Sequence, residues 1–276
     1  MSDDFYLADV DELAARVPDG ARVAWPVDSA GNSAALARAL VRRGVRDLRL
    51  VNVPTGAYAT DLLIGAGCVA EIETSGVSLD EYGPAPRFGK AVKEGLVRIR
   101  DATCPAIHAE LQAGEKGVPF VPLRGLIGTD VLANRPDWRV IDNPLGGGGD
   151  PIVLLPALVP DFLVFHGAIG DPDGNVWVGR RGDLKTASHA ARASLVTVER
   201  RVDFDLLSDE RYAAGTVPAL YVEGMAVAER GTWPCVFWDG QAADDDHMRL
   251  YAGLARSDDG FAEYLERFVF ERRAAA

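Results

Sequence analysis

Apolar residues along the chain follow two alternating periods, one helical and one extended. Apolar spacings of three to four residues predict helices at 10–17, 33–44, 58–67, 86–95, 105–117, 182–193, 244–256 and 258–272. Short apolar runs predict strands at 21–25, 47–53, 68–75, 96–101, 119–122, 151–158, 161–167 and 194–202, with a strand pair at 219–231. This alternation predicts an α/β fold: an open, mostly parallel sheet with helices on both faces.

Residues 124–150 interrupt the alternation with a segment rich in glycine and proline. Loops of this length inside a compact domain are usually functional. Four consecutive glycines at 146–149 indicate either a flexible crossover or a backbone that lies against a flat ligand or a partner chain. No break is long enough to separate two units, so we expect one domain over 1–276.

Composition narrows the classes of protein that fit. The chain has 276 residues, 48% hydrophobic and 25% charged, as in ordinary globular proteins. No apolar run reaches the ~18 residues that span a membrane, and the acidic N-terminus lacks the features of a signal peptide. We therefore expect a cytoplasmic protein with no membrane association. The net charge of −12 argues against nucleic acid but leaves room for an anionic small molecule in a local cationic pocket.

The common chemical motifs are absent from the sequence. Cys68, Cys104 and Cys235 are scattered, with no CxxC pair or Cys/His cluster, so we predict neither a metal site nor a disulfide framework. There is no GxGxxG, P-loop or GxSxG, and no Ser-His-Asp or Cys-His set can be assembled from motifs. Candidate residues must instead come from the loops that follow the strands, where open parallel sheets bind ligands.

The first such loop, "PVDSAGNS" at 26–33, lies between a strand and a helix. Backbone N–H groups at a helix start attract phosphate or a carbonyl oxygen that gains charge. Ser29, Gly31 and Asn32 are therefore candidates for binding such an anionic group of a substrate. Ordinary helix capping by Asn32 and Ser33 explains the same residues equally well.

A second candidate loop, "LRGLIGTD" at 123–130, combines an arginine with glycines. Arg124 is suited to a phosphate or carboxylate, and Gly128 and Thr129 allow a ligand to approach the backbone. A surface turn in which Thr129 or Asp130 caps the next segment is the favoured alternative.

His166 ends the apolar run 162–165 and precedes the turn signal "GDPDGN". A histidine in this position is more often bonded to a backbone carbonyl than active as a base, so it is a weak catalytic candidate. Asn175 in this turn is a further candidate for substrate binding, although Asp171 and Asn175 are also explained by a purely local turn.

Asp101 ends a strand at the predicted ligand edge and is the second weak catalytic candidate. Cys104 precedes a proline at a helix start, a place that can lower the pKa of a thiol, but an inert thiol is the favoured interpretation. On the following helix, His108 and Glu110 are interpreted as surface or interface residues.

Together these segments resemble the α subunit of family I coenzyme A (CoA) transferases, of the glutaconate CoA-transferase A type. Related α chains occur in hydrolases that open rings of CoA-linked steroid fragments. The resemblance runs through almost the whole chain. It is carried by the ordered set "GARVAW", "DLLIGAGCVAEIETSGVSLDEYG", "EGLVRIRD", "GVPFVPLRGLIGTD", "PALVPDFLVFHGAIGDPDGNVWVG", "ASHAARASLVTVER" and "GTWPCVFWD".

The resemblance implies a partner, a homologous β subunit, and substrates that are an acyl-CoA and a carboxylic acid. It implies a CoA thioester as substrate rather than a permanently bound cofactor. CoA moves between acids through covalent intermediates, and the nucleophilic Glu is expected on the β subunit. In the strand and turn that match the family, His166, Asp171 and Asn175 would shape the wall of the site and fix the turn.

Two departures from the family pattern keep alternatives open. Trp25 and Pro26 stand where the family usually has a Gly-Gly pair in an anion-binding loop, which motivates a non-catalytic structural or binding subunit. In the ring-opening branch an acidic residue follows the "EGL" strand; here the nearby residues are Asp101 and Cys104. Hydrolysis of the acyl-CoA is the remaining alternative.

Overall fold

The structure, a computed structural model, describes residues 5–271. Its strands are β1 (Arg22–Pro26), β2 (Leu48–Val53), β3 (Val69–Thr74), β4 (Arg98–Asp101), β5 (Phe120–Leu123), β6 (Arg139–Asp142), β7 (Pro151–Pro156), β8 (Phe162–Gly170), β9 (Val176–Trp177), β10 (Ala193–Arg201), β11 (Thr216–Val217) and β12 (Val222–Val227). Its α-helices are α1 (Val10–Ala15), α2 (Ala34–Arg43), α3 (Tyr58–Gly65), α4 (Pro86–Glu94), α5 (Cys104–Lys116), α6 (Asp130–Ala133), α7 (Gly182–Ala190), α8 (Glu210–Ala213), α9 (Asp245–Leu254) and α10 (Asp258–Leu265).

The main sheet has nine strands, and seven of them run parallel in the order β4-β3-β2-β1-β8-β10-β12. The hairpin-like pair β9 and β11 extends the far end of β8 in the antiparallel sense. The chain winds outward from β1 to β4 and later returns to continue from β8 to β12. The strand order therefore reverses between β1 and β8. Open α/β sheets bind ligands at such a reversal, outside the carboxyl ends of the strands, and we call this position the crevice.

Both faces of the main sheet are covered, which confirms the predicted fold class. One apolar cluster packs α1, α2, α3 and the C-terminal helices against one face, and the other packs α5 and α7 against the opposite face. Alternation along β8 divides its side chains between them, with Val164 in the first cluster and Phe165 in the second.

Local sequence signals set the limits of α2. Ser33 caps its start by accepting a hydrogen bond from Leu36 N–H at 3.3 Å, and Gly44 ends it in the left-handed conformation. The start of the helix is buried directly behind the loop that follows β1.

The segment 124–150 is more ordered than its composition indicates. It contains α6 and β6, and β6 joins a second, antiparallel sheet in the order β5-β7-β6. The four glycines form the turn between β6 and β7, where Gly148 and Gly149 have φ of 88° and 67°. The segment is therefore part of a small sheet and not one long excursion.

Two sequence predictions are wrong in detail. The pair expected at 219–231 is one strand, β12, preceded by the 3₁₀ turn Ala219–Tyr221. The chain turns away after β12 because Arg230 adopts a positive φ of 52° and its N–H bonds Glu199. The last helix ends as an α-helix at Leu265 and continues as the π turn Glu266–Phe270; residue 272 of that prediction lies outside the described residues.

In the part of the chain that the structure describes, no helix combines the length and the apolar character that a bilayer crossing requires.

Gly114 of α5 lies against the backbone carbonyl of Leu158, which a Cβ atom would overlap. We expect Gly114→Ala to lower the free energy of unfolding by about 1–3 kcal/mol, because neither backbone can yield easily. Gly89 of α4 has open space at the same position. The control Gly89→Ala should raise stability by about 0.5–1 kcal/mol. Urea denaturation measures both, and equal effects would contradict the packing argument.

Candidate functional site

The loop after β1 lies at the crevice and packs against β8. Residues Asp28–Ala30 form a 3₁₀ turn, and Gly31 follows with φ of 93°. The Gly31 carbonyl accepts a hydrogen bond from His166 N–H at 2.6 Å. A Cβ atom at Gly31 would lie 2.5 Å from the His166 carbonyl oxygen, so only glycine fits. The structure thus joins two of the predicted site segments.

Side chains of this loop point in opposite directions. Ser29 is exposed, whereas Asp28 and Asn32 are buried. The Asn32 amide accepts from Trp25 Nε1 at 2.7 Å and donates to Asp28 Oδ1 at 2.7 Å. Asn32 therefore holds the loop from inside, and Ser29 is the exposed side chain of the turn, so ligand contacts of Ser29, Gly31 and Asn32 stay predictions.

His166 lies fully buried behind the loop, with its ring against Phe237. Its Nδ1 lies 2.9 Å from Thr197 Oγ1 and its Nε2 lies 2.9 Å from Glu199 Oε2. Burial lowers the pKa of His166, which favours the neutral ring. With a carboxylate as partner, we assign the ring proton to Nε2, and the Thr197 hydroxyl then donates to Nδ1.

Glu199 connects this histidine to the segment after β12. Its Oε1 accepts from Arg230 N–H at 2.6 Å. Although partial burial opposes ionisation, the hydrogen bonds from His166 and Arg230 lower the pKa of Glu199. Ser33 reaches the same network through Thr197 Oγ1, at 2.6 Å. The polar atoms of His166 are thus engaged within the chain, and a catalytic role for it stays a prediction.

The turn after β8 is fixed by Asp171 and Asn175, both buried. Asn175 donates through its backbone N–H and its amide to the two Asp171 oxygens, each at 2.8 Å. Its amide oxygen accepts from Ala219 N–H at 2.9 Å. These contacts hold the turn, so direct contact between Asn175 and a ligand stays a prediction.

The loop with Arg124 belongs to the small sheet. Arg124 is exposed and forms a bidentate ion pair with Asp150, in which Nη2 lies 2.8 Å from Oδ2. Thr129 Oγ1 donates to Leu126 O at 2.7 Å, and Gly128 has φ of 77°. Asp150 orients the Arg124 guanidinium, which remains open to solvent. An anion that binds Arg124 would therefore compete with the Asp150 carboxylate.

Asp101, at the end of β4, contacts the segment after α6. Its Oδ2 accepts from Asn134 Nδ2 at 3.1 Å, and its carbonyl accepts from Arg135 Nη1 at 3.0 Å. Arg135 is buried and lies 2.8 Å from Glu73 Oε1 and 3.4 Å from Glu110 Oε1. Asp101 is therefore beside a buried charge cluster that joins the small sheet to the main one.

The interpretation of Glu110 as a surface or interface residue is wrong, because its side chain is buried inside the chain. Its Oε1 accepts from Trp138 Nε1 at 2.8 Å, and its Oε2 is buried with no hydrogen-bond partner among residues 5–271. Burial and the nearby Glu73 raise the pKa of Glu110 to about 7, against the pull of Arg135.

The cysteines remain separate. All three are free thiols, Cys104 exposed beside Ser75 Oγ at 3.2 Å and the other two buried. Within residues 5–271, no group of three or more His, Cys, Asp or Glu side chains is placed to hold a metal ion.

The family model described as "Coenzyme A transferase" matches residues 7–228. The chain belongs to the coenzyme A transferase family. This match covers the crevice loop, β8 with His166, and the small sheet with Arg124.

Relatives of this CoA-transferase family chain include the A chain of 3-oxoadipate CoA-transferase from Pseudomonas knackmussii, 28% identical over 83% of this chain and 81% of that protein. The cholesterol ring-cleaving hydrolase IpdA subunit of Rhodococcus jostii is 29% identical over 85% of this chain and 82% of that protein. An uncharacterized Archaeoglobus fulgidus protein is 28% identical over 84% of this chain; the chain spans about half of its length, 51%.

Among solved structures, glutaconate coenzyme A-transferase from Acidaminococcus fermentans superimposes with a TM-score of 0.87, over 96% of this chain and 89% of that one. Its sequence is 21% identical, so this similarity establishes the fold.

Sequence reasoning missed several polar residues, namely the buried Asp28, Glu73 and Arg135 and the half-buried Glu199. The acidic residues at 28 and 73 stand at strand ends, which is a weak signal. No sequence pattern connects Arg135 to carboxylates so distant along the chain.

We expect Glu110→Gln to change the pH dependence of stability. The folded-state pKa of Glu110 is raised above its ordinary value, so the stabilisation from its protonated form is complete below about pH 4.5 and is lost as the pH rises through about 7. Because glutamine does not ionise, the variant does not lose this stabilisation as the pH rises. Its free energy of unfolding, relative to the parent, should increase by about 2 kcal/mol between pH 5 and 8.

Urea denaturation at several pH values measures this difference. Glu94→Gln, at an exposed position on α4, serves as the control and should run parallel to the parent. A parallel curve for Glu110→Gln as well would contradict the raised pKa.

Proposed function

We propose that this chain is the α-type subunit of a heteromeric CoA-transferase that acts on acyl-CoA thioesters and a carboxylic acid acceptor. The match to the A chain of 3-oxoadipate CoA-transferase, over 83% of this chain, carries the proposal. The carboxylates nearest the crevice also fit it. Asp28 is buried in the loop, and Glu199 is bonded to His166 and Arg230, so neither is free to attack a thioester.

In the proposed reaction, the thioester carbonyl is attacked by a Glu carboxylate of the β-type subunit. The C–S bond breaks, CoA leaves as a thiolate, and a mixed anhydride forms. The thiolate then attacks the glutamyl carbonyl, which releases the first acid and leaves CoA bound to the enzyme as a thioester. The acceptor acid takes CoA by the reverse sequence.

This chain would supply the other wall of that pocket. Ser29 is the exposed side chain of the crevice loop and would face the thioester. The start of α2 is buried behind it, and its first N–H groups bond within the chain, Ala35 to Gly231 O at 2.9 Å. The helix would therefore act on the oxygen that gains charge through its dipole and not through a free N–H group. Gly31 and Asn32 set the loop conformation. Arg124, with Gly128 and Thr129, would bind an anionic group of the CoA or the acid.

Hydrolysis, with water in place of the acceptor acid, is the second candidate. It is favoured by the similarity to the ring-cleaving hydrolase subunit of Rhodococcus jostii. The two reactions differ in one measurable requirement, the free acid.

We expect the lone chain to have no turnover and the complex with its β-type subunit to transfer CoA. The assay mixes an acyl-CoA with a carboxylic acid and follows the new thioester by mass. Release of CoA by the complex without any acid would identify the hydrolase instead. Full activity of the lone chain would contradict the shared pocket.

Arg124→Ala should raise the KM for acyl-CoA about tenfold and leave kcat nearly unchanged, because it removes one charge-assisted contact to the bound ground state. Arg211→Ala is the matched control, since Arg211 is also exposed and paired with an aspartate, Asp209. Equal kinetics for both variants, together with unchanged turnover after substitution of Asp101 and His166, would favour a non-catalytic subunit.

A further inference from the structure

Asp28 is a buried carboxylate at the crevice that has no cationic partner in the described chain. Its Oδ1 accepts from Asn32 Nδ2 at 2.7 Å and its Oδ2 accepts from Tyr58 N–H at 3.1 Å. The Cys235 thiol lies against it as a third donor. No ion pair with a lysine, arginine or histidine forms at Asp28 within residues 5–271.

The three donors belong to three separate elements. Asn32 precedes α2, Tyr58 begins α3, and Cys235 follows β12. Burial, and then the nearby Asp28, raises the pKa of Cys235 well above its ordinary value, so the thiol keeps the proton that it donates. Asp28 therefore fixes the turn from beneath, through contacts to these three elements.

This arrangement costs stability. Burial raises the pKa of Asp28 to about 6, which its three hydrogen bonds only partly offset. The charged groups around it do not compensate: Asp80 raises its pKa further, and Arg38 acts on Cys235 and Tyr58. Because the folded-state pKa exceeds the ordinary value, the ionised form destabilises the fold above about pH 6.

A residue that lowers stability at neutral pH is commonly retained for function. The turn over Asp28 presents Ser29 at the place where the strand order reverses. Gly31, at the end of the turn, is held on the other side by His166 N–H. The turn is thus fixed from β8 and from Asp28, with Ser29 between the two attachments.

We propose that Asp28 is a positioning residue, which orients the turn Ser29–Gly31 toward the reacting carbonyl through its hydrogen bonds to Asn32, Tyr58 and Cys235. The inference rests on the proposed function only for its kinetic readout. Asp28 does not touch the substrate; it fixes the backbone that does.

The chain offers a matched control in Asp61. This aspartate is 0% exposed, against 9% for Asp28. Its pKa is likewise raised to about 6 by burial, and it accepts from Phe88 N–H and Tyr251 Oη, each at 2.7 Å. It lies on α3 among the C-terminal helices, and these two hydrogen bonds lead away from the crevice loop. Asp28→Asn and Asp61→Asn therefore remove equivalent charges from different places.

The test measures thermal unfolding at pH 5 and pH 8, backbone hydrogen exchange, and turnover of the complex. For both variants, the difference in melting temperature from the parent should shift in favour of the variant as the pH rises from 5 to 8. Asp28→Asn alone should speed exchange at 27–34 and lower kcat about tenfold or more, with KM within about threefold, because a small displacement of a positioned group impairs the chemical step more than binding. Asp61→Asn should keep kcat within about twofold.

Unchanged exchange at 27–34 in Asp28→Asn would overturn the proposal, as would equal kcat values for the two variants. An inactive parent complex would count against the proposed function alone, because hydrogen exchange still decides whether Asp28 fixes the turn.

Discussion

The hydrogen bond from His166 N–H to the Gly31 carbonyl joins the two halves of the main sheet at the point where its strand order reverses. The conformation of the crevice loop on its β8 side depends on it. It requires a glycine in the left-handed conformation, it places the start of α2, and it leaves Ser29 as the exposed side chain of the turn. The ring of His166 is in turn fixed by Thr197 and Glu199. A single strand, β8, therefore organises the loop through both its backbone and its side chain.

The sequence predicted much of the fold because burial imposes periodicity. The parallel strands and their helices were recovered because each buries a regular apolar face. In the small sheet, β5 and β7 were predicted at 119–122 and 151–158, but β6 was missed, since it is short, exposed along its length and joined to β7 by a glycine-rich turn. The error at 219–231 had a local cause, the positive φ of Arg230 and its bond to Glu199, which no apolar pattern encodes.

Prediction of the site was less complete, for a different physical reason. The loops at 26–33 and 123–130 were found from position and composition, and 26–33 does border the crevice. The functions of buried polar residues are set by tertiary partners. Glu110 looked like a surface residue because charged helix residues usually are. Its burial depends on Arg135 and Trp138, which lie 25 and 28 residues further along the chain.

Arg135 couples the unfolding of the two sheets. Its guanidinium contacts Glu73 of β3 and Glu110 of α5 while its backbone belongs to the small-sheet segment. If that segment detached alone, Glu110 would lose both Arg135 and the Trp138 donor, while Glu73 would keep Arg22 at 2.7 Å and Arg100 at 3.5 Å. The cost would fall mainly on the buried side chain of Glu110. The two sheets are thereby coupled into one cooperative unit, and partial melting of the smaller one is suppressed while the larger one remains intact.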